Sequence, residues 1–419
     1  MNLSKTILNS TLKHDLCINC GICKVACKFD AISMERNKYG EVNPVIDKTK
    51  CKNCGACVRF CPNTKEKLQK DAKILKGLEF PHRRGLEDAS YYLAWDEDRE
   101  QRLKCCSGGA VTKLATYLFE AGKIDGMIHV ERLWGNRGDL HYGARLSHSV
   151  EEMRENVSSA YQPINFSEVL CNLARGRTYF LTGTPCIIRG IKHLINNNKD
   201  FDEVKIMTCA LVCSHNTSAQ FIDFLTEINE LPDNQKWQAN IRHKDENIVD
   251  ANNFKNHIYT KDGDLLNKNR FESGWTHIWR SYYFAMGACL KCTDFWGYEA
   301  DISVKDAWGE WSKEPLGTSI VVVRNKELEK AFLQSGVFWE KLDYEVMKDH
   351  QLPTPVFKQT QAYNKNFKSI LSRSNRKNGL LKYFVISKMS KFWYTNCGYK
   401  ITKLVMKVVE KVVSWSEKL

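Results

Sequence analysis

Residues 17–27 read Cys-Ile-Asn-Cys-Gly-Ile-Cys-Lys-Val-Ala-Cys, and residues 51–61 read Cys-Lys-Asn-Cys-Gly-Ala-Cys-Val-Arg-Phe-Cys. Each is C-x2-C-x2-C-x3-C, and the second lies 34 residues after the first, so the chain opens on an internal repeat of cysteine ligand loops. Around them the chain runs to 419 residues, 43% hydrophobic, 26% charged and 11% aromatic. That is ordinary globular composition, long enough for two or three domains, and it excludes collagenous and wholly disordered classes. No run of apolar residues is long enough to span a bilayer, and the N-terminus lacks the apolar core of a secretory signal. Seventeen cysteines without such a signal point to a reducing, cytoplasmic setting and to metal ligation rather than disulfides.

The doubled spacing is that of bacterial two-cluster ferredoxins, in which three thiolates come from one loop and the fourth from the other repeat. Cys17, Cys20, Cys23 and Cys61 are expected to hold one [4Fe–4S] cluster, and Cys27, Cys51, Cys54 and Cys57 the second. Gly21 and Gly55 follow the second cysteine of each loop, where the chain must turn sharply. Short strands fit 31–34 and 42–47. Pro62 follows Cys61 as in ferredoxins, whereas Lys28 follows Cys27. A pair of zinc sites is the competing reading, but eight cysteines in this register complete two cubane sets. The Lys-rich stretch after residue 65 reads as a linker or a domain-crossing segment.

The formal net charge is +13, yet residues 358–419 alone hold fourteen Lys/Arg against two acids, leaving the rest near +1. In residues 400–415, Ile401, Leu404, Val405, Val408, Val409 and Val412 share one helical face and Lys400, Lys403, Lys407 and Lys411 another. A basic amphipathic helix reads as binding a membrane surface, with docking on the protein's own body as the alternative. Nucleic acid is not an expected partner, since no recognition motif accompanies the charge.

The central chain has neither G-x-G-x-x-G after a strand nor G-x-x-x-x-G-K-[ST]. It offers four local signatures instead. Ser107-Gly108-Gly109 precedes an apolar helical pattern, a turn that suits an approaching anion or a plain helix cap. Gly183-Thr184-Pro185-Cys186 joins a buried strand to an amphipathic helix, with the cysteine a ligand, a nucleophile or simply packed. Residues 204–212 form an apolar strand leading to Cys213-Ser214-His215. Cys289-x2-Cys292 comes before Asp301-Ile-Ser-Val-Lys-Asp306-Ala-Trp-Gly. Cys186, Cys213, Cys289 and Cys292 thus make a further possible set of four thiolates, with zinc or core packing in competition. Strands are expected near 126–131, 178–182 and 204–212, and helices near 110–121, 186–196 and 218–229, giving a mixed α/β main domain.

In this order, the motifs S-G-G, G-T-P-C, L-x-C-x-H, and C-x2-C with D-I-x-x-x-D-x-W-G resemble the coenzyme F420 hydrogenase/dehydrogenase beta-subunit family over about residues 15–325. Many members carry a two-cluster ferredoxin module in front. The resemblance implies FAD and a third [4Fe–4S] cluster on Cys186, Cys213, Cys289 and Cys292, in an oxidoreductase passing electrons between a hydride carrier and clusters. It implies flavin contacts at Ser107, Gly108, Gly109, Gly183, Thr184 and Pro185, matches Arg242 and Lys244 to an Arg-x-Lys strand facing an anion, and matches Asp301 and Asp306 to the acidic motif. His215 is a candidate proton donor, against the alternative of a structural histidine. The implied partner is a redox protein or a small hydride carrier, and the alternative function is a subunit without a substrate of its own. Relatives of this layout often accompany surface-polysaccharide genes, which names no substrate. Cys105-Cys106, Ser214-His215 and Lys305 depart from the usual pattern. The expected organisation is a ferredoxin-type α+β module over 1–70, the α/β domain over 71–350 and a basic helical tail over 351–419.

Overall fold

The computed structural model describes residues 5–37, 41–76, 85–155, 159–280 and 282–351, together with Val408. The expected amphipathic tail therefore lies outside the described residues. Among those described, no helix is long and apolar enough to cross a membrane.

The cysteine loops bracket a two-stranded antiparallel sheet, β1 (Ile32–Arg36) and β2 (Val42–Ile46). The main body holds β3 (Ser90–Trp95), β4 (Gly126–Arg132), β5 (Tyr142–Ser147), β6 (Thr178–Gly183) and β7 (Lys205–Leu211). A separate antiparallel sheet follows, of β8 (Gln238–His243), β9 (Lys255–Tyr259) and β10 (Asp264–Asn269). The chain then returns through β11 (Ile302–Asp306), β12 (Ser319–Val323) and β13 (Phe338–Leu342). The large sheet runs β13-β3-β12-β11-β7-β6-β4-β5, with β11, β7, β6 and β4 mutually parallel and the outer pairings antiparallel. This is the expected mixed α/β architecture with a ferredoxin-like segment in front.

Alternation along the strands explains why the sheet is covered on both faces. On β6, Tyr179 and Leu181 enter one core while Phe180 enters the other. On β12, Val321 and Val323 face the second core and Ile320 and Val322 a third, so the whole strand is buried. Helix Ala110–Glu120 lays Leu114, Ala115 and Leu118 on one face. Helix Pro185–Asn197 starts on a proline, whose missing N–H costs nothing there, and buries Ile187, Ile188, Ile191 and Leu194 on the other. Helix Gln220–Ile228 completes the set expected from periodicity.

Two features go beyond the sequence reading. Lys65–Lys76 is a helix: Thr64 accepts the Lys67 amide at 3.2 Å, and the spacing from buried Leu68 to Asp71 turns one face to the main body. The cysteine module also shares its core with the main domain, since Ile18, Ile22, Phe60 and Leu68 belong to the same cluster as Ile188 and Ile191. Contact is close enough that glycine is required. A Cβ on Gly190 would stand 2.5 Å from Ile22 Cδ1 and 3.1 Å from Pro62 Cγ. Replacing Gly190 by valine is expected to cost about 1–3 kcal/mol and to loosen the module. Thermal melts and limited proteolysis read this; a valine variant melting and resisting protease like the parent would contradict it.

Candidate iron–sulfur and cofactor site

The two cysteine loops repeat in backbone as well as in sequence. Asn19 and Asn53 both have left-handed φ (59° and 52°), as do Gly21 and Gly55 (77° and 80°). This geometry aims the Asn19 amide at Cys17 Sγ and the Asn53 amide at Cys51 Sγ, each at 3.4 Å. Thr11 Oγ1 lies 3.5 Å from Cys61 Sγ. Cys17, Cys20 and Cys23 each feel the charge of Cys61, Cys57 feels Cys27, Cys54 and Cys51, and Cys23 also feels Cys57, so the two groups of sulfurs adjoin. The second set also lines one hollow with Phe29 and Ile32.

Burial pushes the Cys17 thiol up to about 12 and the Cys57 thiol to about 11, and it raises Cys20 and Cys23 well above the ordinary range. Sulfurs so buried, yet met by amide donors, suit ligation by iron, which displaces the proton. Among the described residues no three ligand side chains close around a point as they would for a single ion. A cube has a body of its own and takes thiolates at its corners. The sets differ in setting. Cys20 is buried in the core shared with the main domain, Cys23, Cys57 and Cys61 in a small core of the module itself, whereas Cys54 is exposed.

The further four cysteines occupy one side of the sheet. Cys186 opens helix Pro185–Asn197 and is near enough to Cys20 for their charges to interact. Cys213 follows β7, and its amide bonds Phe295 O at 3.1 Å. The segment after it pairs with the 285–292 loop, placing the Asn216 amide 3.3 Å from Cys289 Sγ. Cys292 Sγ donates to Asp294 O at 3.7 Å.

The remaining candidates gather where the parallel strands end, the edge at which open α/β sheets bind ligands. Gly183, Thr184 and Pro185 follow β6, and Asp306 ends β11. Ser107 joins them because β3 runs the same way: its Oγ donates to Thr318 O at 2.9 Å, and the Gly108 amide donates to Ser319 Oγ at 3.2 Å. Gly108 is glycine for packing, since a Cβ would meet Ala94 O at 2.8 Å. Gly109, with φ 82°, turns the chain into its helix.

Arg242 on β8 reaches this edge and pairs with Asp306 at 2.6 Å. Burial opposes both charges, but the pair prevails: the Asp306 carboxyl is held below the usual range and the Arg242 guanidinium above it. Phe254 lies between Arg242 and Arg270, 4.9 and 5.2 Å from their guanidinium carbons. The Nε atoms of both arginines are buried without a hydrogen-bond partner. Two enclosed cations with unused donors fit an anionic group.

Three candidates have protein partners of their own. Lys244 does not present its charge to an anion; its ammonium donates to the carbonyls of Arg102, Ser107 and Leu316 and so braces the Ser107 turn. Asp301 lies at the opposite end of β11 from Asp306, about 16 Å away along the strand. Its carboxylate accepts from Thr208 N at 2.8 Å, Thr208 Oγ1 at 2.6 Å and Lys192 Nζ at 3.0 Å, a clasp between β7 and helix Pro185–Asn197. His215 is 4% exposed and stacked between Trp279 and Tyr282, with ring centroids 3.8 and 4.0 Å away. That is the packed, structural alternative; its ring is a wall between the Cys213 rim and Tyr161, which meets Trp279 edge-on at 4.8 Å.

Sequence reasoning missed Tyr161, Arg270 and Arg189. Arg189 had a signal, a cation on the apolar helix between Ile188 and Ile191. Tyr161 and Arg270 had none.

Residues 91–171 match the N-terminal part, and residues 176–340 the C-terminal part, of the family described as coenzyme F420 hydrogenase/dehydrogenase, beta subunit. Residues 16–65 match a 4Fe-4S dicluster domain. An uncharacterized protein of Methanocaldococcus jannaschii is 24% identical over 307 residues, 70% of this chain and 72% of that protein. A chain from a structure described as the xenon-derivatized F420-reducing [NiFe] hydrogenase complex of Methanosarcina barkeri is similar at TM-score 0.45 and 17% identity, covering 71% of this chain and 92% of that one. Both halves of the beta-subunit pattern lie in order behind a dicluster domain, and the chain belongs to the coenzyme F420 hydrogenase/dehydrogenase beta-subunit family of iron–sulfur oxidoreductases.

Proposed function

We propose that this chain is an iron–sulfur flavoenzyme that exchanges electrons between a two-electron carrier bound at the sheet edge and an external one-electron redox protein. The observation that carries this is the order of the sulfurs. Cys54 of the outer set meets solvent, Cys20 of the inner set is buried in the core shared with the main domain, and Cys186 borders Cys20. Cys186, Cys213, Cys289 and Cys292 would hold a third cluster next to the cofactor edge. FAD, when bound, supplies conversion between paired and single electrons.

The chain's own residues bind and orient. Lys244 fixes the carbonyls of the Ser107 turn, so the turn is set before a ligand arrives. The Arg242 and Arg270 Nε donors would meet phosphate oxygens. The aromatic wall of Tyr161, Trp279 and His215 keeps water from the interval between cofactor and third cluster.

Anaerobic purification is expected to give about twelve irons and one flavin per chain. Cys289→Ser with Cys292→Ser should hold about eight irons and keep the N-terminal clusters. About two zincs and no flavin in the parent would overturn the assignment. Bleaching of the bound flavin by a small hydride donor, with no protein added, identifies an enzyme. Reduction only through an added redox protein identifies a subunit.

Lys305 gives this edge a pH dependence. Desolvation lowers its pKa to about 7 against the pull of Asp306, whereas unfolded it titrates near 10.5. Between about 7 and 10.5 the unfolded chain binds the extra proton, so stability rises with pH across that window. Denaturant midpoints at pH 7 and pH 9 should rise less in Lys305→Met than in the parent; an equal rise in both would exclude Lys305 as its source.

The basic face of residues 400–415 is proposed to hold the protein on an anionic membrane surface. Co-sedimentation with vesicles containing phosphatidylserine should fall with added salt and vanish when Lys400, Lys403, Lys407 and Lys411 are replaced by glutamine. Unchanged binding by that variant would remove the tail from the account.

A further inference from the structure

Helix Pro185–Asn197 carries Cys186 on its first turn and Arg189 three residues later, on the same face. The Arg189 side chain is 12% exposed. Its Nη2 donates to Pro62 O at 2.8 Å and Asn63 Oδ1 at 3.2 Å. Its Nη1 donates to Asp71 Oδ2 at 2.7 Å and to Tyr298 OH at 3.2 Å. Pro62 and Asn63 directly follow Cys61, and Tyr298 lies on the loop that follows Cys292. One guanidinium thus bonds both the cysteine module and the main domain, next to Cys61 on one side and on the loop after Cys292 on the other.

The guanidinium stands on the first turns of the helix that carries Cys186 and bonds the Pro62 carbonyl next to Cys61, so its charge lies beside both sets. The Nε–H is buried without a hydrogen-bond partner, leaving one donor for a sulfur acceptor. Asp71, held at 2.7 Å, supplies a negative charge of opposite effect on the same spot.

We propose that Arg189 is a positioning residue for electron flow, a fixed positive charge between the cluster on Cys17, Cys20, Cys23 and Cys61 and the cluster on Cys186, Cys213, Cys289 and Cys292, which raises the reduction potential of both relative to the outermost cluster. The inference rests on the cluster reading above. Each electron arriving on a cluster adds a negative charge, which a nearby cation stabilises, and net charge and hydrogen bonds to sulfur are established determinants of cluster potential. The four hydrogen bonds of the guanidinium go to Pro62, Asn63, Asp71 and Tyr298, none of them in the 51–57 loop of the outer set.

The test is a potentiometric titration followed by electron paramagnetic resonance, with iron counts, on the anaerobically purified full chain. Arg189→Gln should lower two of the three cluster potentials and leave the third in place. Asp71→Asn should raise the same two. Arg189→Lys, which keeps the charge, should stay near the parent. If Arg189→Gln fails to hold its module, the opposite shift in Asp71→Asn still decides. Full iron with unshifted potentials, equal shifts in all three clusters, or the same sign in Arg189→Gln and Asp71→Asn would overturn the role of Arg189. A parent holding about eight irons would instead overturn the third cluster, and the shift at the inner N-terminal cluster would then measure Arg189 alone.

Discussion

The contact on which the rest of the structure depends is the one between helix Pro185–Asn197 and the cysteine module. One-electron centres serve a path only when they are held close, and here the closeness is built into packing. Gly190 lets Ile22 and Pro62 approach the helix backbone, Cys20 O accepts the Phe166 amide at 3.0 Å, and a Cβ on Gly287 would stand 2.2 Å from Asp15 O. These contacts come from three separate parts of the main domain. A module fastened at three places does not swing, so the relative position of its sulfurs is a property of the core rather than of a hinge.

The loops themselves were legible from spacing because they are local. Three cysteines within seven residues set each loop, and Asn19 with Gly21, or Asn53 with Gly55, supplies the turns. Buried strands and amphipathic helices were legible for the same reason: Thr178–Gly183 and Pro185–Asn197 display their periods without knowledge of neighbours. The order of the sheet was not legible, because it depends on which strands find each other across long connections. Nor were roles that depend on a distant partner. Lys244 looks like an anion ligand until the carbonyls of Arg102 and Leu316 arrive around it, and Asp301 looks like a site carboxylate until Thr208 occupies it. The helix Lys65–Lys76 was obscured by its lysines, one of which, Lys67, turns inward to the carbonyls of Arg59 and Cys61.

The cofactor edge shows how charge is arranged when strands end together. Asp306 closes β11, Arg242 arrives from a different sheet, and Phe254 separates that arginine from Arg270. Pairing settles one positive charge and leaves the other unmatched, an asymmetry that suits recognition of an anion better than a self-contained ion pair would. The aromatic rings beside it give the same corner a low-polarity wall, in which an electrostatic contact is worth more than at the open surface.

The near-identical backbone of the two cysteine loops has a consequence for how the module is polarised. Both loops offer the same thiol spacing, the same asparagine turn and the same amide at 3.4 Å from the leading sulfur. Ligand chemistry therefore cannot tell one cage from its duplicate. The direction of the module comes from what surrounds it, water on one side and a protein interior on the other, so a symmetric pair of parts acquires a front and a back only by being installed.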